Sequence, residues 1–579
     1  MKKPLSKNGK KAVAAIVILI LAFIYYYVEL PAINIHSVGF WEFLILAAVV
    51  IVFILAVLPK LKHSSKANPP DLNPKHDKRL KKGLLCIGFL VVVFLLGALL
   101  SSPIVNASKY QQLLNVQNRE FTDDIKQISY DEIPLIDSDS AALLGNRKMG
   151  SMVDMVSQFE VSSTYTQINY HNSPVRVAPL QYADPIKWLT NQSNGIPAYI
   201  LIDMATQDTQ LVKLDQPIKY SESEYFNRNI YRHLRFRYPT YIFDNINFEL
   251  DENGTPWWVC PVKGFSIGLF GGQTVERVVL CNAQTGECQD MSVSDVPQWV
   301  DRVYSSSLLL SYYNYYGTLK HGFLNSVFGQ KDCLKTTDGY NYLAIDDDVW
   351  LYTGVTSVTG DQSIVGFVLM NQRTGETHFY SVQGAVESSA MSSAEGQVQN
   401  LGYKATFPLL LNTANQPTYF IALKDNSGLV KKYAMVNVQK YQIVAIGDTV
   451  AECEKKYVSL MAQNGISGGT VNTANDKKIT GTIRKMAQSV LEGNSHYYLL
   501  LDSSSSLFDI PVSQDLDVLR YSEGDRITLT YTSPADGSAD GVCTVTGIVK
   551  ASTESSPNSS SAATSSTASA TESTSSTAK

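Results

Sequence analysis

The densest group of carboxylates in the sequence is Asp346-Asp347-Asp348, which lies between Tyr342-Leu343 and Val349-Trp350. Three adjacent carboxylates repel one another unless they are solvated or bridged by a hard cation such as Ca²⁺. Adjacent residues of a strand point to opposite faces, so the three cannot all ligate one ion without a turn. We expect a solvated turn without a reactive acid/base pair, and a cation site at Asp346, Asp347 and Asp348 is the alternative.

A second candidate site is a row of arginines, Arg228, Arg232 and Arg235, spaced i, i+4 and i+7 as on one face of a helix. The sequence Ser221-x-x-Glu224 can form a capping box at its start, and Pro239 follows its end. A guanidinium group fits phosphate and carboxylate well, so these arginines are candidates for anion binding to lipid or wall polymer. Pairing with the acidic surroundings is the simpler interpretation.

The sequence suggests a spatial pairing for two of the seven cysteines. If Asn282 pairs with Glu287 across a hairpin, Cys281 and Cys288 lie opposite each other. A disulfide between them and two free thiols both remain open. The other five have no readable partner: Cys86, Cys260, Cys333, Cys453 and Cys543.

Enzyme motifs are absent from the sequence. It has no His-Glu-x-x-His pair, no Gly-x-Ser-x-Gly, no phosphate-binding Gly-rich Lys loop and no Cys-x-x-Cys, and no two of its eight histidines stand at ligand spacing. We therefore predict no catalytic residue and no cofactor, and the sequence favours a protein that is not an enzyme. A site assembled from distant residues stays open.

The tyrosine run Tyr312-Tyr313-Asn314-Tyr315-Tyr316 has two interpretations. It could stack sugars or peptides. Because Leu308, Leu309 and Leu310 precede it directly, core packing of an amphipathic helix is favoured.

Three apolar stretches near the start predict three transmembrane helices: Ala12 to Val28, Phe43 to Leu58 and Gly83 to Ser101. None contains a charged residue or a histidine, and each approaches, with its flanks, the roughly 20 residues that span hydrocarbon. A cleaved signal peptide is the alternative for the first stretch. A retained span is favoured because no small-residue cleavage signal follows Tyr27.

Lysine and arginine counts predict the orientation. Five lysines precede the first stretch and eight basic residues lie between Lys60 and Lys82, whereas the loop from Glu29 to Glu42 has none. The positive-inside rule places the N-terminus and the basic loop in the cytoplasm and the chain after Ser101 outside. That exported part holds 35 basic and 49 acidic residues, about −14 in net charge, which disfavours nucleic acid as a partner.

A hairpin motif occurs twice in the exported part. Residues 279–288 and 368–377 share the frame Val-Leu-x-Asn-x-x-Thr-Gly-Glu, with Ser-Val beginning six residues beyond the glycine in both copies. We expect a buried strand, a tight turn in which Gly286 or Gly375 has positive φ, and a return strand. Weaker copies occur at residues 201–208 and 435–440.

At these residues the chain resembles the PepSY-like modules of bacterial surface proteins, in which an apolar strand, this turn and a return strand pack beside a helix. The wider region from Pro197 to Met461 also resembles a group of membrane proteins of Gram-positive bacteria. The resemblance implies an extracytoplasmic binding or regulatory module and supplies no catalytic residue. A helix capped by Asp295 and containing Val296, Val300 and Val303 would fit the module.

Beyond the glycine-rich residues 464–469, five short strands are predicted: residues 479–483, 496–501, 506–511, 527–531 and 542–549. Five strands in about 70 residues resemble a small OB-like barrel, and an SH3-like barrel or open sandwich fits nearly as well. The last residues are nearly all Ser, Thr and Ala, so we expect disorder there.

The predicted organisation is multi-domain: three transmembrane α-helices, then α+β PepSY-like modules and an OB-like β-barrel. The boundaries are a membrane anchor at 1–104, a stalk and the start of the ectodomain at 105–196, PepSY-like repeats at 197–462, a linker at 463–476, the barrel at 477–550 and a disordered tail at 551–579. We predict a non-catalytic binding or regulatory protein of the cell envelope, in the plasma membrane, with lipid and an envelope protein or peptide as partners and no nucleic acid. The alternatives are an envelope hydrolase or peptidase with a site between modules, and an accessory or sensor subunit of a membrane complex.

Overall fold

The computed structural model describes residues 7–57, 77–126, 133–345, 347–360, 363–466, 477–491, 494–512, 516–532 and 542–551. The chain forms two compact units, Met1–Asn472 and Thr473–Lys579. Most of the predicted linker (467–476) and nearly all of the predicted tail (552–579) lie outside the described residues.

Three helices begin the first unit: α1 (Lys7–Glu29), α2 (Val38–Val52, continued by a π-helical turn at Phe53–Val57) and α3 (Lys78–Leu100). Two described helical segments, Val38–Ala56 and Lys78–Leu100, are long and apolar enough to cross a membrane. The apolar part of α1, Ala15–Glu29, is shorter, so the third span stays a prediction. The apolar side chains of α3 point outward, with Leu85 63% and Phe89 67% exposed, unlike those of a soluble core helix.

The following segment lies in the predicted stalk and start of the ectodomain (105–196). Its helices are short, and Tyr110 and Leu114 are buried against the β-rich region. The elements are α4 (Pro103–Gln111), β1 (Val116–Arg119), α5 (Phe121–Asp124) and α6 (Ser138–Gly150).

Four sheets follow, each built on an antiparallel meander, and together they make up a fourfold repeat. In each, a helix precedes a meander whose last two strands are joined by a tight turn. The first sheet contains β2 (Phe159–Val161), β3 (Thr166–Tyr170), β4 (Ser173–Tyr182), β5 (Ile196–Asp203) and β6 (Thr209–Ile218), with α7 (Pro185–Asn191) between β4 and β5. The second follows α8 (Ile230–Arg237) and contains β7 (Asn247–Leu250), β8 (Pro256–Ile267), β9 (Gly271–Asn282) and β10 (Cys288–Ser292).

The third and fourth repeats have the same plan, with additional short strands. The third follows α9 (Ser306–Thr318) and contains β11 (Leu334–Thr336), β12 (Asn341–Ile345), β13 (Asp348–Ser357), β15 (Gly366–Asn371) and β16 (Thr377–Tyr380), with β1 parallel to β16. A two-stranded ribbon, β14 (Ser363–Ile364) with β17 (Gly384–Ala385), leads to α10 (Glu387–Gln397). The fourth contains β18 (Lys404–Ala405), β19 (Leu409–Thr413), β20 (Gln416–Lys424), β21 (Val430–Asn437) and β22 (Val444–Gly447), and α11 (Val450–Gln463) ends the unit.

Buried apolar residues connect neighbouring repeats. One cluster joins the first and second sheets, another the second and third, and a third the third and fourth. In α9 the side chains of Leu309, Tyr312 and Tyr313 are buried in this core, which confirms core packing as the role of the front of the tyrosine run.

Two local predictions are wrong. The apolar and aromatic residues 238–243 predict a strand, but they form turns and a single bridge at Phe243, and the carbonyl groups of Pro239 and Thr240 accept hydrogen bonds from Ile33 and Asn34. Val296 and Val300 are buried but not helical: only Val293–Asp295 form a 3₁₀ turn, and the N–H groups of Asp301 and Arg302 donate to the Glu249 carboxylate. The helix starts later, at Ser306.

The second unit is a closed five-stranded barrel. Its strands are β23 (Lys477–Leu491), β24 (Asn494–Leu501), β25 (Leu507–Pro511), β26 (Arg526–Thr532) and β27 (Val542–Lys550). They occur at the predicted positions, although β23 continues well beyond the predicted residues 479–483, and Gly524 supplies positive φ (98°) in the turn before β26. Around the barrel they follow the order β23, β24, β25, β27, β26, with β25 and β27 parallel and β26 paired to β23.

Candidate functional site

The two Thr-Gly-Glu turns have the same hydrogen bonds, which confirms the prediction of equivalent hairpins. The Oδ1 atom of Asn282 accepts from the N–H groups two and three residues on, and Asn371 does the same. The glycine N–H donates back to the asparagine carbonyl, at 2.8 Å for Gly286 and 2.9 Å for Gly375. Both glycines have positive φ, 75° and 77°.

The weaker copies show why the asparagine matters. At residues 203–208, Asp203 accepts from the N–H groups two and three residues on, those of Ala205 and Thr206, and Gln207 takes the left-handed position with φ 63°. At residues 437–443, Asn437 again accepts from two N–H groups, within a longer loop. An Asx side chain therefore holds the last turn of all four meanders.

In the second repeat this turn carries a cluster of sulfur and imidazole groups. Cys281 on β9 lies directly opposite Cys288 on β10, as the sequence predicted, and both are free thiols. His233 of α8 joins them: its Nε2 atom is 3.6 Å from the Cys288 Sγ and 2.8 Å from the Gly286 carbonyl oxygen. One ligand atom from each of the three residues lies within 4.8 Å of the others, so they could hold a soft metal ion.

The environments of the two thiols differ. Cys281 is fully buried, whereas Cys288 is half-buried. A hydrogen bond from Cys281, together with one from His233, lowers the pKa of Cys288 to about 5, although burial opposes this shift. The same contact with Cys288, and burial, raise the pKa of Cys281. The pair therefore favours a thiolate at Cys288 and a neutral thiol at Cys281.

The arginine row is divided by the local fold. Helix α8 begins at Ile230 with Asn229 as its N-cap, so Arg228 precedes the helix in a 3₁₀ turn. The predicted capping box at Ser221 is wrong, because the buried Glu224 instead accepts from the Tyr182 hydroxyl and the Trp188 indole, both at 2.8 Å. Positive φ at Phe226, in the 3₁₀ turn before Asn229, separates Glu224 from the helix.

Arg232 and Arg235 contact the C-terminal end of α1. The Nε of Arg235 donates to the Leu30 carbonyl at 2.8 Å. The Nε of Arg232 lies 3.4 Å from the Tyr27 carbonyl, and its guanidinium is 4.4 Å from the Tyr27 ring centroid. These cations complement the unpaired carbonyls and negative dipole end of the helix. Anion binding by Arg228, Arg232 and Arg235 stays a prediction, in competition with these carbonyl contacts.

The surface of the β-rich region that contacts the end of α1 also contacts the connection before α2 and the end of α3. Ile33, in the α1–α2 connection, donates its N–H to the Pro239 carbonyl at 2.7 Å. His36 Nδ1 lies 2.8 Å from the Leu269 carbonyl. The Oγ of Ser101, at the end of α3, accepts from the Leu269 and Phe270 N–H groups at 2.8 and 3.0 Å. Helix ends that are distant in sequence thus meet one surface.

The acidic triplet does not converge on one point in the described residues. Asp346 lies outside them, and Asp347 is in a turn with φ 69° and accepts from Asn169 at 3.1 Å. Asp348 is buried, not solvated as we expected, and pairs with Arg373 through both oxygens at 2.6 and 2.8 Å. A turn is therefore present at the triplet, and within it Asp347 and Asp348 bind different partners, Asn169 and Arg373. Cation binding at Asp346, Asp347 and Asp348 stays a prediction.

A buried carboxylate pair was not visible in the sequence. Glu249 and Asp301 are 0% and 1% exposed. Glu249 accepts from the N–H groups of Asp301 and Arg302 at 2.8 and 3.2 Å, and Asp301 accepts from the Asn169 N–H at 2.7 Å. Burial raises the pKa of Glu249 to about 7, and burial and Glu249 raise the pKa of Asp301. The pair joins the first repeat, through Asn169, and the second, through Glu249, to the connection before α9.

No protein-family model matches this chain, and no curated protein matches it. Among solved structures, a variant of an apocarotenoid oxygenase from Synechocystis aligns with 51% of this chain and 62% of that chain at 7% sequence identity and a TM-score of 0.16. The chain thus spans less than two thirds of that protein's length, and a likeness at this score carries no argument about fold or activity.

Proposed function

We propose that this chain is a membrane-anchored, extracytoplasmic binding or regulatory protein of the cell envelope, whose β-rich region is fixed to its membrane helices. The observation that carries the proposal is the shared surface that binds the end of α1, the start of α2 and the end of α3. If the three helices cross the bilayer, those three ends lie on the same side of the membrane as the β-rich region. The lysine-rich residues 60–82 join the opposite ends of α2 and α3.

Charge supports the orientation. The connection between α1 and α2 contains no lysine or arginine, whereas eight basic residues lie between Lys60 and Lys82. Short basic loops are retained in the cytoplasm. The β-rich region, on the side of the uncharged connection, is then outside.

The proposal assigns the four helix-and-meander repeats to PepSY-like modules and the second unit to an OB-like barrel. The Asx turn between the last two strands and the adjacent helix support the first assignment. The strand order one-two-three-five-four, with a parallel pair between the third and fifth strands, supports the second. Both architectures present binding surfaces without requiring catalysis.

The competing hydrolase hypothesis has its best carboxylate pair in Glu249 and Asp301. A general acid with a pKa of about 7 suits such chemistry, but a catalytic group must reach its substrate. Glu249 is fully buried and both of its oxygens accept backbone N–H groups. We expect this pair to stabilise the junction between repeats.

A hydrolase screen tests the choice between binding and catalysis. The full chain, purified in detergent, is assayed with peptide, ester and glycoside substrates, together with the Glu249→Gln and Asp348→Asn variants. We expect no turnover above a heat-inactivated control. Turnover that disappears in folded Glu249→Gln while Asp348→Asn retains it would establish the hydrolase.

A second candidate, an accessory or sensor subunit of a membrane complex, is favoured by the contacts of Arg232 and Arg235. They connect α8, next to the Cys281–Cys288 turn, with the end of α1. A change in the ectodomain would therefore reach a membrane helix. Co-purification of intact protein from its own membrane distinguishes the candidates: a membrane-embedded partner at fixed stoichiometry indicates the subunit.

A further inference from the structure

The cysteine–histidine cluster of the second repeat has a geometry that the proposed function does not use. Cys281 and Cys288 face each other beside the pair Asn282–Glu287, in which the Asn282 N–H bonds the Glu287 carbonyl at 2.9 Å. Hydrogen-bonded and non-hydrogen-bonded pairs alternate along an antiparallel ladder, so the cysteines occupy a non-hydrogen-bonded position. Cα atoms there are about 4.5 Å apart, within the range that a disulfide spans.

His233 determines which chemistry the cluster favours. Its Nε2 lies 2.8 Å from the Gly286 carbonyl oxygen, which can only accept, so Nε2 carries a hydrogen. The same nitrogen lies 3.6 Å from the Cys288 Sγ. A protonated Nε2 cannot ligate a metal, whereas an N–H donor beside sulfur stabilises a thiolate. The arrangement therefore favours thiol chemistry over a metal site.

We propose that Cys281 and Cys288 are a redox-active dithiol that exchanges with small disulfides, in which Cys288 attacks, Cys281 resolves the mixed disulfide, and His233 positions and activates Cys288. The Cys288 thiolate attacks one sulfur of RSSR, the S–S bond breaks and RS⁻ leaves. The Cys281 thiol gives its proton to this first RS⁻, and the resulting thiolate attacks the Cys288 Sγ and expels the second RS⁻, which takes up a proton from solvent. The protein loses two electrons and two hydrogens, and RSSR becomes two RSH.

The accessibility of the two sulfurs matches these roles. Cys288 is half-buried, so a small disulfide can reach it, and the fully buried Cys281 can be reached only from Cys288. The low pKa of Cys288 keeps its thiolate populated at neutral pH. His233 lies on α8 between Arg232 and Arg235, so oxidation would also alter the helix that holds α1.

Mass spectrometry of the full chain in detergent tests the inference. Trypsin releases residues 278–302 as one peptide with both cysteines and no internal Lys or Arg, while Cys260 is in another peptide. After oxidised glutathione, we expect wild type to lose two hydrogen masses in this peptide and retain no glutathione. Cys281→Ser should retain glutathione on Cys288, and the control Cys260→Ser should behave as wild type.

The pH dependence of alkylation supplies a second measurement, which can be made on the wild type. Iodoacetamide should modify Cys288 of the wild type with a midpoint near pH 5, against about 8.5 for an ordinary thiol. His233→Gln should raise this midpoint by at least about one unit. A midpoint near 8.5, a disulfide to Cys260, or one zinc or copper ion per purified chain that Cys288→Ser loses would each overturn the proposal.

Discussion

At the scale of single residues, Asp348 shows how a surface-like sequence becomes a buried contact. Both of its oxygens bind Arg373, and Asn371 adds a hydrogen bond at 2.7 Å. Asp347, its neighbour, has a pKa raised by burial and by the nearby Glu252 and Asp348. Because folding raises the pKa of Asp347, the folded state disfavours its charged carboxylate. The charge of Asp347 therefore contributes no stability at neutral pH.

We therefore predict opposite results for two neighbouring substitutions. Asp348→Asn leaves Arg373 without its charge partner and should lower the unfolding free energy by roughly 2–4 kcal/mol. Asp347→Asn should leave it unchanged or slightly higher. Urea unfolding of the full chain in detergent, followed by tryptophan fluorescence, measures both. Equal losses would contradict the assignment of Asp348 as the structural member of the triplet.

At the scale of elements, the two equivalent turns provide a matched pair. Both glycines require positive φ, but a Cβ at Gly286 would meet the Tyr220 ring at 2.3 Å, whereas one at Gly375 would meet the Tyr304 ring at 3.3 Å. Gly375→Ala should cost about 1 kcal/mol for its backbone conformation. Gly286→Ala should cost about 1–3 kcal/mol more through overpacking. Thermal or urea unfolding compares them, and a larger loss at Gly375 would refute the packing argument.

The contacts between α8 and α1 give a second prediction at this scale. Replacing Arg232 and Arg235 together with Gln removes the cations at the helix end, so the amide hydrogens of residues 30–37 should exchange faster. Arg228→Gln is the control, because Arg228 contacts the Gln192 carbonyl and not α1. Hydrogen exchange followed by mass spectrometry measures the difference. Unchanged exchange in the double variant would show that the arginines do not hold this end.

Local elements were predictable from the sequence, and long-range contacts were not. The turns at Asn282 and Asn371 depend on hydrogen bonds within a few residues, so their motif was sufficient. The bond from Arg235 to Leu30 joins residues 205 positions apart, and no spacing rule reveals it. The helix predicted after Asp295 failed for the same reason, because the N–H groups of Asp301 and Arg302 bond Glu249 on β7. His233, likewise, had no local signal that linked it to the cysteines.

At the scale of the whole first unit, an ion pair joins the first and fourth repeats. Lys424 on β20 donates to both Asp137 oxygens, at 2.6 and 2.5 Å, and Asp137 also caps α6. Burial raises the pKa of Asp137, but hydrogen bonds from Lys424 and the Ser140 N–H outweigh it, so the net pKa is lowered. This stability is present above the unfolded pKa of about 3.9 and is lost as pH falls through the folded value.

Lys424→Met should lower the unfolding free energy by about 1–3 kcal/mol at pH 7, because it leaves a partly buried carboxylate unpaired. Lys404→Met, which breaks the exposed pair with Glu395, should cost less than about 0.5 kcal/mol. The loss of unfolding free energy in Lys424→Met relative to the wild type should shrink below about pH 4, as Asp137 becomes protonated. A deficit that grows as the pH falls would contradict the pairing.

Membrane orientation is the claim on which the proposed function rests, and one measurement tests it directly. A reporter enzyme that is active only outside the cytoplasm is fused after Ser65, in the lysine-rich segment, and separately after Ser552, beyond the barrel. With three spans and the β-rich region outside, the Ser552 fusion is active and the Ser65 fusion is silent, at equal amounts of protein. Activity at Ser65, or silence at Ser552, would contradict the account.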